Sequence, residues 1–217
     1  MKCLLCLSPS PSLCFQKKSG ATYDHCQNCD LVFLQEKFHL SAEGERQRYE
    51  THQNDVTDPR YQNFVQPLVD AIQTRLAAGA EGLDYGCGPG PVAGYLLEKA
   101  GYEITYYDPY FRPHPPTEGK FFDFIILSEV AEHFRNPGLE WPRLRRFLKP
   151  GGVIAVLTAL RPEQQAFASW SYHRDPTHVS FYSLNTFKWI SEEYDFSSSE
   201  RAGERLILLT APSLVSH

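Results

Sequence analysis

From Tyr61 onward the apolar positions Tyr61, Phe64, Val65, Leu68, Val69, Ile72 and Leu76 return at helical spacing. Asp58-Pro59 ahead of them reads as an N-cap with proline in the first turn. The spacing predicts an amphipathic helix ending near Gly79, with Pro67 a candidate kink. The pattern then shortens. Gly82–Tyr85 predicts a strand, and Val92, Tyr95, Leu96 and Leu97 mark a helix that stops at Gly101. Glu103–Tyr107 and Phe121–Leu127 predict two further strands, Pro137–Leu148 a helix, and Val153–Leu157 a strand entered through the turn Pro150-Gly151-Gly152. Helices are predicted over 163–171 and 184–193, and a final antiparallel strand around Arg205–Leu209. Strand and helix alternating at this interval make a mostly parallel, Rossmann-like sheet with helices on both faces.

Ahead of this the pattern differs. Residues 1–38 are rich in Cys, Ser and Pro and lack the apolar residues for a core of their own. Residues 39–59 are polar, with Glu43, Glu45, Arg46, Arg48 and Glu50 predicting a solvated helix or linker. The expected division is a knuckle segment (1–38), a helical linker (39–59) and a main α/β domain (60–217).

At 217 residues the chain can hold one full core and a small appendage. No apolar run approaches the roughly 18 residues that span a bilayer, and Met1–Phe15 is too interrupted by Cys and Pro for a secretory signal. The chain therefore reads as cytoplasmic. A net charge of −5 without a concentrated cationic face argues against nucleic acid and for a small-molecule partner. Oligomeric state leaves no mark on the pattern.

Two stretches carry chemistry. In the first, Gly86, Gly88 and Gly90 follow a strand, where the chain must turn sharply and let a ligand approach its backbone. Asp108 ends the next strand, where a carboxylate can accept both hydroxyls of a ribose. A dinucleotide turn has its third glycine three positions after the second, and a phosphate loop has Lys-Ser or Lys-Thr; neither is present. A nucleoside without phosphates fits best.

In the second stretch, Cys3-x2-Cys6 and Cys26-x2-Cys29 supply two thiolate turns. Together they can give four soft ligands to one structural Zn²⁺, with short strands around Tyr23–Cys26 and Leu31–Phe33 making a zinc ribbon. Cys14 and His25 are weaker substitutes. Cys87 reads as a small buried residue beside the glycine turn.

Asp84-Tyr85-Gly86-Cys87-Gly88-Pro89-Gly90 resembles the first motif of the class I S-adenosylmethionine-dependent methyltransferases. Phe122-Asp123-Phe124-Ile125-Ile126-Leu127-Ser128-Glu129-Val130-Ala131-Glu132-His133 resembles their fourth-strand motif, and Leu148-Lys149-Pro150-Gly151-Gly152 the turn before their fifth strand. The resemblance implies methyl transfer from S-adenosylmethionine. It places Gly86, Gly88 and Gly90 against the methionine part, Asp84 near its amino group, Asp108 on the ribose, and Glu129 beside cofactor and acceptor. Similar cysteine ribbons precede some sugar-modifying and natural-product methyltransferases. This chain departs from the pattern between Asp108 and Asp123, where prolines 109, 113, 115 and 116 exclude the usual helix and strand. The third strand is expected to be short or lost, with Tyr110 or Phe111 covering the adenine.

Trp170–Tyr182 resembles an acceptor-pocket element of one methyltransferase branch. The expected acceptor is a small molecule methylated on oxygen, nitrogen or carbon; a hydroxyl or amine acceptor needs a base, for which imidazole suits. His178 is the first candidate, then His173 and His133, with Arg174 for an anionic acceptor. His178 as a structural histidine of a capped turn stands equally. Two other readings remain at this point: an NAD-dependent oxidoreductase, and a non-catalytic binding module with a vestigial nucleoside site.

Overall fold

The computed structural model describes residues 1–51, 55–116 and 119–214. Parts of the expected linker (52–54) and of the proline-rich segment (117–118) lie outside the described residues. Six strands build the main sheet: β4 (Glu81–Tyr85), β5 (Glu103–Tyr107), β6 (Phe122–Ser128), β7 (Leu148–Leu157), β9 (Ser198–Arg201) and β10 (Leu206–Thr210). Their order is β5-β4-β6-β7-β10-β9. The first four are parallel, and β10 lies antiparallel between β7 and β9. Among the described residues β5 is the sheet edge and no third strand lies beyond it, in keeping with the proline-rich segment that follows. Strand β9 was not predicted, because its fully exposed Ser198–Arg201 has no apolar alternation to announce it.

Alternation along the strands divides the core in two. Ile125 and Leu127, Ile154 and Val156, and Ile207 and Leu209 face α4 (Pro137–Arg146) and α6 (Leu184–Glu193), where Trp141, Leu144, Phe187 and Ile190 meet them. Phe124 and Ile126, Val153 and Ala155, and Leu206 and Leu208 face α2 (Pro59–Arg75) and α3 (Val92–Lys99). Each such fully buried side chain contributes about 1.5–3 kcal/mol. Asp58 caps α2 by accepting from Arg60 N at 2.9 Å, and α2 is a single helix that carries Pro67 on its exposed side.

The N-terminal segment forms β1 (Ser12–Gln16), β2 (Thr22–His25) and β3 (Val32–Leu34), an antiparallel sheet that β8 (Ser180–Phe181) completes in the order β1-β2-β3-β8. Cys3, Leu5, Leu31 and Phe33 share one apolar cluster with Leu83 and Ile125 of the main sheet and Trp141 of α4. The segment thus borrows the core it cannot build.

Two predicted elements differ. The polar stretch after His39 is not merely solvated. It contains α1 (Ala42–Glu50), capped by Ser41, and buries Glu45 because partners neutralise that carboxylate. The helix predicted over 163–171 shrinks to one turn, α5 (Gln164–Phe167), because Phe167 and Trp170 turn into an aromatic cluster with Tyr23, His173 and Phe181.

Candidate active site

A cavity of about 770 Å³ opens at the carboxyl ends of β4, β5 and β6, where open α/β sheets bind ligands. Its floor is the glycine turn. Gly86 (φ 78°) and Gly88 (φ 62°) occupy the left-handed region. A Cβ on Gly86 would meet Val130 Cγ1 at 2.6 Å, whereas one on Gly88 would meet no atom within 4 Å. Gly86 N and Cys87 N both donate to Tyr107 O, at 2.7 and 3.1 Å. Gly88 N donates to Asp108 Oδ2 at 3.0 Å. The turn spends these amides internally instead of presenting them to an anion, which suits a ligand without phosphates. Gly90 lines the cavity beside them.

Asp108 therefore stands beside the turn, as expected of a ribose-binding acid. It also caps its own loop, Oδ1 accepting from Tyr110 N at 2.8 Å and Phe111 N at 3.0 Å. Tyr110 and Phe111 line the cavity next to it. Asp84 is buried beneath the turn, and burial pushes its carboxyl up to about 7, although the Gly94 backbone pulls it down. Gly94 lets α3 approach: a Cβ there would lie 2.5 Å from the Tyr106 ring and 2.7 Å from Asp84 Oδ2.

At the other wall Glu129, itself at φ 54°, is held by Arg205 Nη2 at 2.8 and 3.0 Å and accepts from Tyr172 OH at 3.1 Å. Burial and the neighbouring Glu132 push its carboxyl up to about 8. Glu132 is fully buried, its two oxygens committed to Tyr172 OH and, at 2.9 Å, to Thr158 Oγ1.

The histidines separate. His178 and His133 both line the cavity, their rings 4.8 Å apart. His178 Nδ1 donates to Tyr172 O at 2.7 Å and His133 Nδ1 to Thr177 O at 3.0 Å, which makes Nε2 the basic nitrogen of each neutral ring. Burial, then His178, lowers His133 to about 4. Ligand atoms of Glu132, His133 and His178 lie within 4.8 Å of one another. Glu132, however, already spends both oxygens on hydrogen bonds. His173 is a correction: it stacks on Phe167 at 5.2 Å among Phe15 and Tyr23, outside the cavity lining, because its ring completes that aromatic cluster. Arg174 is exposed and likewise outside the lining.

The sequence reasoning missed Glu45, Tyr49, Tyr61, Phe64 and Arg135, all of which line the cavity. Glu45 accepts from Tyr110 OH at 2.6 Å and pairs with Arg135 at 3.1 Å, which brings α1 over the opening. Tyr61 and Phe64 carried a helical signal but sit at the cavity end of α2, where the same apolar face lines space. The lining holds the carboxylates Glu45, Asp84, Asp108, Glu129 and Glu140 against a single arginine, Arg135, itself paired with Glu45.

The second site is the cysteine cluster. Sγ atoms of Cys3 and Cys29 lie 3.5 Å apart and those of Cys6 and Cys26 3.4 Å apart, all four within 4.8 Å of one another. Leu5 N points at Cys3 Sγ from 3.4 Å, and Leu7 (φ 58°) and Asp30 (φ 59°) turn the chain after each pair. Four converging thiols with backbone support are a donor set for a tetrahedral metal. Cys14 is outside the cluster, and His25 is engaged by Asp30 at 2.6 Å.

Comparison with known proteins bears on the main cavity. The family described as a methyltransferase domain matches residues 58–199. The chain belongs to this methyltransferase-domain family. Its fold is that of the class I S-adenosylmethionine-dependent methyltransferases, with the cysteine cluster added at the N-terminus. Among curated proteins, the ubiquinone biosynthesis O-methyltransferase of Dinoroseobacter shibae is 34% identical over 107 residues, 46% of this chain and 41% of its own. The methyltransferase-domain chain thus spans less than half the length of that relative. Among solved structures, the 1,6-didemethyltoxoflavin-N1-methyltransferase of Burkholderia thailandensis superposes with TM-score 0.57 at 15% identity, covering 87% of this chain and 99% of that one. An O-methyltransferase family protein from the same organism gives 0.50 at 16% identity, covering 80% and 68%. No helix among the described residues is long and apolar enough to cross a membrane.

Proposed function

We propose that this chain transfers the methyl group of S-adenosylmethionine to a hydroxyl or amine of a small acceptor that bears no anionic group. The observation that carries the reading is the meeting of Asp108 with the Gly86–Gly90 turn on the floor of one cavity, in a member of a methyltransferase family. The adenosyl ribose lies on Asp108, the methionine part against Gly86, Gly88 and Gly90, and its amino group by Asp84 and Glu129. Among the described residues, the one arginine in the lining, Arg135, is already paired with Glu45, so the lining offers an anionic acceptor no unpaired arginine or lysine.

His178 takes the acceptor's proton on Nε2 as the acceptor atom bonds to the methyl carbon and the carbon–sulfur bond breaks, leaving S-adenosylhomocysteine. His133 stays neutral beside it. The curated relative named above is an O-methyltransferase and the structural one a 1,6-didemethyltoxoflavin-N1-methyltransferase, which supports a small organic acceptor without choosing its atom. Cys3, Cys6, Cys26 and Cys29 hold zinc, the borderline-soft tetrahedral cation that four thiolates select. With four protein ligands it is structural.

Calorimetric titration of the whole chain with S-adenosylmethionine and with NAD tests the reading. Binding of the methyl donor alone, weakened at least tenfold by Asp108→Ala, is the expected result. Binding of NAD alone would assign an oxidoreductase, and binding of neither a non-catalytic module.

A further inference from the structure

The cysteine pairs are seated on the two loops that carry the acceptor side of the cavity. The first pair rests on the start of α4. Gly138 N donates to Leu4 O at 3.2 Å, and a Cβ on Gly138 would lie 2.5 Å from Leu5 O. Phe134, Arg135 and Asn136, just ahead of that contact, line the cavity. The second pair leads into β3, which pairs Val32 with Phe181 and Phe33 with Ser180 of β8. Leu34 N donates to Val179 O, and Val179 N to Glu132 O, both at 2.8 Å. His178 is the residue immediately before. Between these stands Asp30, directly after Cys29. Its Oδ1 takes Arg161 and, at 2.6 Å, His25, while its Oδ2 accepts from Ser183 Oγ at 2.5 Å. Ser183 caps α6, and Arg161 N donates to Tyr182 O at 2.8 Å, closing a ring around the far end of β8.

We propose that the four-cysteine cluster, acting through Asp30, is a positioning device for the acceptor wall: the metal that joins the two pairs fixes the place of the His178 loop. Asp30 is a positioning residue, for it lies outside the cavity lining and acts through β3, Arg161 and Ser183. The meaning of the wall as an acceptor site rests on the methyl-transfer reading; the mechanical coupling does not. An appendage that only stabilised the fold would need no carboxylate aimed from the thiolate turn at both flanks of β8, and half-buried Asp30 is so aimed. Arg161 is almost wholly buried there, where a charged group persists only when paired.

The test uses the full chain purified with zinc, in wild-type form and as Asp30→Asn and Arg161→Lys. The second variant sits across from the thiolates and keeps its charge while losing the planar fork. Elemental analysis follows zinc, hydrogen exchange follows the backbone, calorimetry follows S-adenosylmethionine, and NMR follows the His178 ring, identified by His178→Gln.

In both variants zinc is expected to stay at the wild-type ratio. Amides of 177–182 exchange at least tenfold faster, and the His178 ring resonances shift while those of exposed His114 do not. Protection of β4 and β6 and affinity for S-adenosylmethionine stay within threefold of wild type. Removing zinc from the wild-type chain with a chelator reproduces the faster exchange at 177–182. Exchange at 177–182 within twofold of wild type in both zinc-loaded variants overturns the proposal, as does a uniform loss of protection that includes β4 and β6. A wild-type chain that fails to bind S-adenosylmethionine sinks the methyl-transfer reading and leaves the exchange result standing.

Discussion

Alanine at Gly86 and at Gly88 separates the two duties of the turn. Both residues have positive φ, so alanine at either costs about 1–2 kcal/mol of backbone strain. They differ in what the new methyl meets. At Gly88 there is open space within 4 Å, and that space is the cavity. At Gly86 Val130 stands at 2.6 and 2.8 Å, and overpacking adds about 1–3 kcal/mol. For a chain of this size 1 kcal/mol moves Tm by about 2–4 °C. Gly88→Ala is therefore expected to lower Tm by about 2–8 °C and Gly86→Ala by about 4–20 °C. Binding should show a second difference. If the methionine part of S-adenosylmethionine packs on Gly88, the methyl group occupies ligand volume, and a loss of about 1–3 kcal/mol is about 5–150-fold in Kd. Scanning fluorimetry and calorimetry measure both quantities on the same samples. Gly86→Ala with Val130→Ala should recover the overpacking part of the Tm loss. A Gly88→Ala chain that binds S-adenosylmethionine within twofold of wild type would refute the placement of the ligand against this turn.

Two further outcomes follow from the buried groups. Asp84 titrates near 7 in the folded chain against about 4 unfolded. Its raised value gives stability that is complete below about pH 4 and is lost as pH rises through about 7, on the order of 4 kcal/mol in all. Asp84→Asn should remove that slope in pH-dependent denaturant melts. It should also abolish a fall in S-adenosylmethionine affinity, up to about tenfold per pH unit below 7, that the ionised acid imposes; an unchanged slope in the variant would point to another group. His178→Gln should lower kcat by about 10²–10⁴-fold while leaving S-adenosylmethionine affinity within twofold. Equal losses in both would make His178 a structural residue of the 172–182 loop.

The sheet was legible because short apolar runs and glycine turns are local: β4, β6, β7 and β10 each announce themselves in a handful of residues. That no third strand appears among the described residues was equally legible, since prolines 113, 115 and 116 remove ladder donors and break a helix. The joining of β3 to β8 was not, because 145 intervening residues separate Leu34 from Ser180 and no periodicity encodes a partner. His173 and His178 looked alike for the same reason. Both lie in one aromatic run, and only the packing of Phe167 and Tyr23 draws the first away from the cavity. Glu45 was hidden by its charge. A carboxylate in a polar helix reads as solvated until its partners Tyr110 and Arg135, far along the chain, are seen beside it.

Among the described residues β5 has no strand on its outer flank, and a bare strand edge is an invitation to a neighbouring molecule's strand. Here that flank is guarded by cations. Lys120 reaches Thr105 Oγ1 at 2.9 Å and Arg112 lies over the Tyr106 ring at 4.9 Å, so an incoming backbone would have to displace two charges. The proline-rich segment after β5 thus carries its own safeguard against aggregation, and neutralising Arg112 and Lys120 together would expose it.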